Sequence, residues 1–395
     1  MSQDAVKTKF FPPDRSFYTP FNLVVGCIMA VGLLFTVLRF TGGLSMVTNL
    51  DDNYPWGLWI GFDLMAGVAL AAGGYTTSAA CYLFGMKRFH SAVRPAILTA
   101  FLGYALVVVS LHYDVGRPWR LPYPLFWSQG TTSLLFEVGL CVALYLTVLF
   151  LEYSVSALEW LGLKKLRHII HRLTLVLTIF GVILSTLHQS SLGALFIIAP
   201  SKLHPLWYSQ YLAVYFFISS MFAGLSMVIF EGSLSHKYFH DKMDNTYLGE
   251  HDGVVLGFAK GASFIMFGYL VIKVIGIAMD NTWHYLGSGY GMWFLVEMLG
   301  FVALPGFLYA VAVRDRNFGL IRKAALITVL GIVLNRLNVC LIAFNWYLPP
   351  EDRYFPHIGE IGLTVFMVTI GVVAFKFIVT RMPIFYEHPD YKESH

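Results

Sequence analysis

Charged residues are scarce in this sequence. Only 13% of its 395 residues are Asp, Glu, Lys or Arg, whereas 57% are apolar and the mean hydropathy is +0.65. Soluble domains carry about 25% charged residues, so this composition excludes a soluble globular fold. Most of the chain must therefore face lipid or other apolar segments.

Cysteine is also rare, and low-complexity linkers and soluble domains are missing. The four cysteines, Cys27, Cys81, Cys141 and Cys340, lie far apart in apolar runs and form no CxxC pair. This pattern excludes the thiolate set of an iron–sulfur cluster within this chain. Small apolar core residues are the role we predict for them.

Ten long apolar runs indicate ten transmembrane helices, because about 20 apolar residues are needed to cross about 30 Å of hydrocarbon. The runs are continuous rather than alternating, which favours helices over a β-barrel. A further apolar stretch at 192–199 is either an interfacial segment or an additional helix. The ten runs are 21–41, 57–84, 93–113, 131–152, 169–190, 209–230, 253–278, 291–313, 322–344 and 360–380.

The distribution of Lys and Arg predicts the orientation. Most of the 27 Lys and Arg residues lie at the two termini or in the even-numbered turns, so that side is predicted to be cytoplasmic. The sequence thus predicts an all-α polytopic membrane protein with a cytoplasmic segment 1–20, a transmembrane domain 21–380 and a cytoplasmic tail 381–395. The first run is too long for a signal-peptide core, so we predict that it is a retained transmembrane helix. The net charge of +4 follows from this sorting, so no nucleic-acid partner is implied.

Two of the predicted outer loops combine Pro with aromatic residues. They are DVGRPWRLPYPLFWSQG at 114–130 and NWYLPPEDRYFPHIG at 345–359. Aromatic belts at the membrane interface account for part of this pattern. The alternative is that these loops are rigid and receive a partner protein.

The presence of ionisable residues inside predicted transmembrane helices needs an explanation, because burying a charge in hydrocarbon costs a few kcal/mol. Those of six helices fall in the outer half, with Tyr104 near mid-membrane. One explanation is structural pairing, for example of Arg336 with Glu297 or Asp63. Their shared depth favours a polar cavity instead. The outer-half residues are Asp63, His112, Asp114, Glu137, His188, Glu297, Asn335 and Arg336.

The inner half is expected to be almost free of charge, with Glu231 as the main exception. Glu231 is either solvated at the interface or the inner mouth of a proton route. Such a route would pass hydroxyls such as Tyr104 and Tyr145 toward Glu137.

Short strings recur in a fixed order along these helices, and together they resemble a known family. It is the NrfD/polysulfide-reductase type of membrane subunit, in the ten-helix branch typified by the HybB-like subunit of NiFe hydrogenases. YTPFN at 18–22 and EHPDY at 387–391 also resemble relatives in multihaem cytochrome c complexes. The ordered strings are PWGLWIGFDL (55–64), RPAILTAFLGY (94–104), DVGRPWRLPY (114–123), LLFEVGLC (134–141), LHQSSLGAL (187–195), KLHPLWYS (202–209), IFEGSL (229–234) and RLNVCLIAFN (336–345).

The resemblance implies a bacterial inner-membrane subunit without haem or iron–sulfur cluster of its own. Such a subunit binds a quinone, usually menaquinone, near the outer face. A periplasmic ferredoxin-like iron–sulfur subunit exchanges electrons with it, and hydrogenase or multihaem cytochrome c subunits complete the complex. His112 does not match the family's motifs. The positions that match are Asp63, Asp114, Arg117, Glu137, His188, Gln189, Glu231 and Arg336.

Quinone reduction requires two electrons and two protons, so its site needs hydrogen-bond donors and a titratable group connected to water. His188 and Gln189 are suitable donors, and Asp63 and Glu137 are suitable proton relays. No metal site is predicted. The predicted quinone-binding residues are Asp63, Asp114, Arg117, His188, Gln189 and His112, and the predicted proton-transfer residues are Glu137, Tyr104, Glu231, Arg336 and Glu297.

The sequence leaves three alternatives to this hypothesis. A secondary transporter would place its site at the midplane, between inverted repeats with broken helices, and the sequence shows no convincing repeat. A passive anchor without quinone chemistry is the second. A haem between His112 and His188, the only His pair at matching depth, is the least favoured.

Overall fold

The structure is a computed structural model that describes residues 19–386. Residues 1–18 and 387–395, which make up most of the two predicted cytoplasmic segments, lie outside the described residues. Within 19–386, ten helices are long and apolar enough to cross a membrane, which confirms the all-α polytopic prediction. They are α1 Pro20–Gly42, α2 Trp59–Leu83, α3 Lys87–Asp114, α4 Leu134–Leu161, α5 Thr174–Ile197, α6 Leu212–Tyr238, α7 Asn245–Met279, α8 Gly289–Arg314, α9 Phe318–Ile342 and α10 Ile358–Arg381.

The helices run alternately up and down, so the bundle has two distinct ends. We call the end where α1 begins and α10 finishes the termini end, and the opposite one the far end. The far end is the predicted periplasmic face, and this orientation stays a prediction. Residues 192–197 of the further apolar stretch form the last turns of α5, so they are not a separate helix.

Side chains and prolines fix where several helices begin. Pro20 opens α1, where its missing N–H costs nothing, and Thr19 accepts a hydrogen bond from the Asn22 amide at 3.2 Å. Asn317 caps α9 in the same way. At α10, His357 and Glu360 form a reciprocal capping box. These caps satisfy amides that lipid cannot.

Eight of the ten helices form two similar four-helix units. In the first unit α2, α3, α4 and α5 pack in a ring, and in the second α6, α7, α8 and α9 do the same. The units meet through α2 and α6, with α2 also touching α9 and α5 touching α6. Because α2 and α6 run in the same direction, the repeat of helix packing is parallel and not inverted. Helices α1 and α10 pair with each other and lie against α2 and α3.

The two units approach each other most closely at two glycines. A Cβ atom on Gly224 of α6 would lie 2.4 Å from the backbone nitrogen of Gly73 on α2. Only glycine fits there, since real Cβ contacts are never that short. This is the small-residue packing that membrane helices use when no hydrophobic effect drives them together.

Three helices leave regular α geometry. Asp63 lies in a π-helical segment of α2, and Glu297 and Asn338 lie in similar segments of α8 and α9. Such segments re-aim side chains and are frequent at functional sites. Helix α2 is also broken at 71–72.

The break in α2 frees the carbonyl of Val68, because the Ala72 amide bonds to Ala69 instead. The Gln189 side chain donates to that carbonyl at 2.9 Å. A polar residue of α5 thus satisfies the backbone of α2.

Candidate functional site

The centre of the first unit holds a cluster of polar side chains buried from solvent. Tyr104 of α3 stands edge-on to Tyr145 of α4, with ring centroids 4.7 Å apart. The His188 ring of α5 is 5.6 Å from the Tyr104 ring. Gln189 follows on α5, and all four side chains are at most 1% exposed. The sequence prediction that Tyr104, His188 and Gln189 are intramembrane polar groups is consistent with these positions.

Most polar atoms of this cluster have no hydrogen-bond partner within the described residues. They are the hydroxyls of Tyr104, Tyr145 and Ser185, both ring nitrogens of His188 and the amide oxygen of Gln189. Unpaired buried polar atoms each cost about 1–3 kcal/mol, and native proteins contain few of them. Their concentration in one place marks a site that receives water or a polar ligand.

Glu137 lies on the far-end side of this cluster. Ser191 of α5 donates to its carboxylate at 2.6 Å, and also contacts its own helix at the carbonyl of Leu187. Ser191 comes one helical turn after His188, so Glu137 and His188 lie at neighbouring levels of the first unit. Glu137 is partly exposed, which gives a proton on its carboxylate access to the surface.

Asp63 and Asp114 form a second acidic group at the far end, between α2, α3 and α10. Thr364 of α10 donates to Asp63 at 3.2 Å, whereas one carboxylate oxygen of Asp114 has no described partner. Buried Arg39 of α1 lies close by, and its guanidinium donates to the carbonyls of Tyr113 and Val115. The cation beside Asp114 is therefore Arg39.

Two residues of the predicted quinone-binding set do not join either group. Arg117 is exposed in the loop after α3, where its backbone carbonyl accepts a hydrogen bond from the Arg120 amide at 2.9 Å. His112 is partly buried, and its Nδ1 lies 2.7 Å from the Val108 carbonyl of its own helix. Neither side chain is positioned by a neighbouring helix through a described hydrogen bond.

Glu297 and Arg336 belong to a separate network in the second unit. The Glu297 carboxylate accepts hydrogen bonds from Trp207 at 2.8 Å, from Asn335 at 2.6 Å and from Asn338. Arg336 donates to Asn335 at 2.7 Å, so the charged pair is joined through an amide. No direct ion pair of Arg336 with Glu297 or Asp63 occurs among the described residues.

Arg336 is held by further contacts on α6. It donates to the Ser219 hydroxyl at 2.8 Å, and its guanidinium lies 3.7 Å from the Phe216 ring centroid. Buried Lys273 of α7 lies in the same region, 4.3 Å from the Tyr215 ring centroid. The outer layer expected from helix depth is thus divided into separate hydrogen-bonded groups.

An aromatic group at the far end covers the second unit. His204 precedes α6, is 1% exposed and stacks on Tyr290 at 4.7 Å. Burial lowers the pKa of His204 to about 4. The ring is therefore neutral near pH 7, and its Nδ1 accepts a hydrogen bond from the Leu206 amide at 3.2 Å.

Glu231 lies near the termini end of α6. It accepts a hydrogen bond from Thr99 of α3 at 2.5 Å, and its second carboxylate oxygen has no described partner. A cavity of about 20 Å³ beside it is also lined by Tyr247 and His251. That volume is enough for one water molecule.

The expectation of an inner half almost free of charge is wrong. Glu159 of α4 forms ion pairs with Arg94 at 2.9 Å and with Arg167 at 3.1 Å. About two helical turns earlier on α4, Glu152 accepts a hydrogen bond from Thr178 of α5 at 3.1 Å. A partly open cavity of about 280 Å³ adjoins Glu152 and Arg94 at the termini end.

Several of these residues were not singled out from the sequence. Arg39 and Lys273 lie in apolar runs and were not predicted as site residues. Glu152 lies in the half that was expected to be almost free of charge. Its signal was present, since acidic residues and a tyrosine follow one another every seven or eight positions along α4. Trp207, in a loop, carried no such signal.

Among residues 19–386, no three His, Cys, Asp or Glu side chains approach closely enough to hold a metal ion. The ionisable groups of both units instead contact hydroxyls, amides and aromatic rings. These features define a class: a polytopic helical membrane protein with two four-helix units and polar, partly unsatisfied groups in the first one.

Comparison with known proteins gives the family. The model of the family described as "Polysulphide reductase, NrfD" matches residues 46–345, which span α2 to α9. The chain belongs to the NrfD family. The resemblance stated from the sequence strings is confirmed.

Individual relatives are similar over nearly the whole chain. The chain is 69% identical over 382 residues to a protein of Nitratidesulfovibrio vulgaris strain Hildenborough. The aligned region covers 97% of this chain and 98% of that protein. It is 33% identical over 380 residues to the "Probable Ni/Fe-hydrogenase 2 b-type cytochrome subunit" of Escherichia coli K12, covering 92% and 91%. It is 27% identical over 362 residues to the "Menaquinone reductase, integral membrane subunit" of N. vulgaris, covering 86% and 85%.

Proposed function

We propose that this chain is the quinone-reactive membrane subunit of a respiratory electron-transfer complex in the bacterial inner membrane. Membership of the NrfD family and the names of the two relatives, a hydrogenase subunit and a menaquinone reductase subunit, support this assignment. The substrate is a quinone, with menaquinone as the first candidate. The chain supplies the binding site and the electrons come from partner subunits.

The observation that carries the proposal is the set of unpaired polar atoms around Tyr104 and His188. A quinone offers two carbonyl oxygens that need donors, and a quinol offers two hydroxyls that need acceptors. The His188 imidazole, with both nitrogens unpaired, can serve either form. Gln189 keeps its amide nitrogen on Val68, so its free oxygen is the group available to a quinol hydroxyl.

The acidic groups nearby supply the protons. Glu137, held by Ser191, lies one turn from His188 and is partly exposed. Asp114 lies beside Arg39, and Asp63 accepts a hydrogen bond from Thr364. In this scheme the far-end groups exchange protons with the quinone, while Arg117 and His112 have peripheral roles.

A partner at the far end would deliver the electrons. Large aromatic side chains are exposed in the loops there: Trp119 (73%), Phe126 (70%), Trp127 (71%) and Phe355 (75%). Exposed apolar groups of this size mark interaction surfaces when they lie outside the lipid. The partner we propose is a periplasmic ferredoxin-like iron–sulfur subunit, linked to a hydrogenase or to multihaem cytochrome c subunits.

Proton transfer from the termini end is a second part of the proposal. Glu231, with a free carboxylate oxygen and a water-sized cavity, would feed Tyr104 and then Glu137. Glu297 and Arg336 would form the charged counterpart in the second unit.

The quinone site is tested with Asp63→Asn and His188→Ala in the complex purified with its natural partners. Both variants should assemble and lose quinone-dependent turnover, while partner-only activity with an artificial acceptor remains. Asp315→Asn, an exposed position at the termini end, is the matched control and should retain turnover. Full quinone activity in both site variants would overturn the proposed site.

The proton part is tested with Glu231→Gln. Turnover of the wild-type complex in sealed vesicles should depend on membrane potential, and the variant should lose that dependence. An unchanged dependence on potential would remove Glu231 from the route.

A secondary transporter stays the alternative, and the break in α2 is the observation that favours it. The position of Asp63, Asp114 and Glu137 toward the far end, away from the midplane, counts against it. If the isolated subunit took up a substrate into vesicles without any quinone, the conclusion would be a transporter and the redox proposal would be dropped. A passive anchor would be the conclusion if no quinone copurified and none restored turnover.

A further inference from the structure

Helix α4 carries a line of polar residues along one face. Glu137, Tyr145 and Glu152 follow at intervals of eight and seven residues, which is about two helical turns each. They therefore point to the same side of α4 and span roughly 22 Å, most of the hydrocarbon thickness. An apolar helix has no packing reason to repeat polar groups at this spacing.

Helix α5 presents a matching line to this face. Thr178 donates to Glu152 at 3.1 Å, and Ser191 donates to Glu137 at 2.6 Å. Between them, Ser185 lies beside the hydroxyls of both Tyr145 and Tyr104. None of these three hydroxyls has a hydrogen bond of good geometry within the described residues. We call this α4–α5 line the polar seam.

The polar seam ends in the larger cavity of the termini end. Glu152 lines that cavity, whose volume of about 280 Å³ far exceeds the roughly 10–15 Å³ that one water needs. Arg94, Glu250 and Tyr82 line it as well, so its wall is polar enough to hold water. Water in the cavity therefore reaches the Glu152 carboxyl.

We propose that Glu152 is a proton entry group, which takes protons from the water-filled termini-end cavity and passes them along the polar seam to the Tyr104–His188 site. The inference rests on the proposed function, since a quinone in that site consumes the protons. Each transfer breaks one O–H or N–H bond and forms another, so the seam is unchanged after one proton has passed. The electrons reach the quinone from the partner subunit.

One stretch of the seam needs water. Glu152 and Tyr145 are separated by roughly 10 Å along α4. Gly181 of α5 faces this stretch, where an added Cβ would lie 3.5 Å from the Tyr145 ring and 3.6 Å from Val148. The missing side chain leaves room beside the ring, and transient water there completes the path.

The other acidic groups of the termini end fit this role less well. Glu159 is fixed between Arg94 and Arg167, whose guanidinium groups pair with its carboxylate oxygens. Glu231 adjoins a cavity that accommodates a single water, so we assign its route to Tyr104 the smaller share of the protons. Glu152 combines a single described hydrogen bond with access to the large cavity.

The test uses the complex with its natural partners in sealed vesicles. A membrane-impermeant electron donor drives only complexes whose far end faces outward, a short-chain menaquinone analogue is the acceptor, and a trapped dye reports lumenal pH. Wild type should take up lumenal protons as quinone is reduced. Glu152→Gln should lower proton uptake per quinone reduced by at least about tenfold. Glu250→Gln, on the same cavity wall but outside the seam, should change it less than about twofold, and Glu152→Asp should restore most of it.

The possible outcomes separate the two proposals. A wild-type complex that fails to reduce quinone refutes the proposed function itself. Quinone reduction with undiminished lumenal proton uptake in Glu152→Gln refutes only the entry role of Glu152. If Glu152→Gln does not assemble, Tyr145→Phe decides, since it keeps the ring and removes the seam hydroxyl. Lost uptake in Tyr145→Phe supports the seam, and normal uptake overturns it.

Discussion

At the scale of single residues, the two four-helix units treat their buried polar groups differently. In the first unit Tyr104, Tyr145 and His188 are left without partners among the described residues. In the second unit three N–H groups converge on the Glu297 carboxylate. A ligand can enter the first arrangement with a gain in hydrogen bonds, whereas the Glu297 carboxylate of the second already has three donors.

The three hydrogen bonds that the Glu297 carboxylate accepts predict that this residue contributes to stability. Glu297→Gln places an amide N–H₂ among donors from Trp207, Asn335 and Asn338, so at least one donor loses its acceptor. We expect a loss of about 1–3 kcal/mol in the free energy of unfolding. Thermal unfolding of the purified chain in detergent measures it, with Asp315→Asn as the control. Equal melting temperatures for Glu297→Gln and wild type would show that the network contributes nothing to stability.

His204 predicts a pH dependence of stability. Its pKa is lowered to about 4 by burial, against 6.5 when unfolded, so the unfolded chain binds more protons between those values. Stability should therefore fall as the pH is lowered through this window. His204→Phe should make the melting temperature less sensitive to pH between 6.5 and 4, and His168→Gln, at an exposed position, should not. Parallel curves for wild type and His204→Phe would contradict the assignment.

At the scale of helices, hydropathy predicted the ten spans to within a few residues at most ends. The largest difference is at the end of α4, which lies at Leu161 instead of 152, and α7 begins at Asn245 instead of 253. Its first two turns are polar and capped by Asp244, so a hydropathy window does not include them. Length and apolar content decide where a helix crosses, and capping decides where it begins.

The irregular helices could not be predicted in this way. The break in α2 and the π-helical segments at Asp63 and Glu297 depend on partners from other helices, such as Gln189 on the Val68 carbonyl. Likewise, the parallel repeat of the two units is a property of helix packing, and the sequence showed no convincing repeat. Both features arise from tertiary contacts.

The contact between α2 and α6 gives a prediction for the helix interface. Gly224→Ala would place a methyl group 2.4 Å from the Gly73 nitrogen and 2.5 Å from the Ala72 carbonyl carbon, so the units must separate locally. We expect a loss of about 1–3 kcal/mol in the free energy of unfolding. Gly268→Ala on α7 is the matched control, because nothing lies within 4 Å of the added atom. A normal melting temperature for Gly224→Ala would show that the interface tolerates a side chain.

At the scale of the whole molecule, helix depth predicts which polar groups share a level, but not which of them meet. It predicts a similar depth for His188 and Glu137, with Tyr104 near mid-membrane. Depth gives no rotation about the helix axis, so it could not separate Glu297 and Arg336 into their own network. For the same reason it could not place Arg39 beside Asp114.

Two units joined through α2 and α6 give the molecule a cluster of buried polar side chains in the first and an amide-linked charge network in the second. Helices α1 and α10 cover one side, and the far-end loops expose aromatic groups to a partner. This arrangement suits a subunit that passes protons internally and receives electrons from outside.

Photolabelling tests the central claim, the quinone site in the first unit, most directly. A photoreactive azido-menaquinone is bound to the complex purified with its partners, irradiated and mapped by mass spectrometry. Labels are expected on α3 and α5 near Tyr104 and His188, and excess unmodified menaquinone should remove them. Labels confined to α6–α9, or labels near Tyr104 that menaquinone does not displace, would contradict the account.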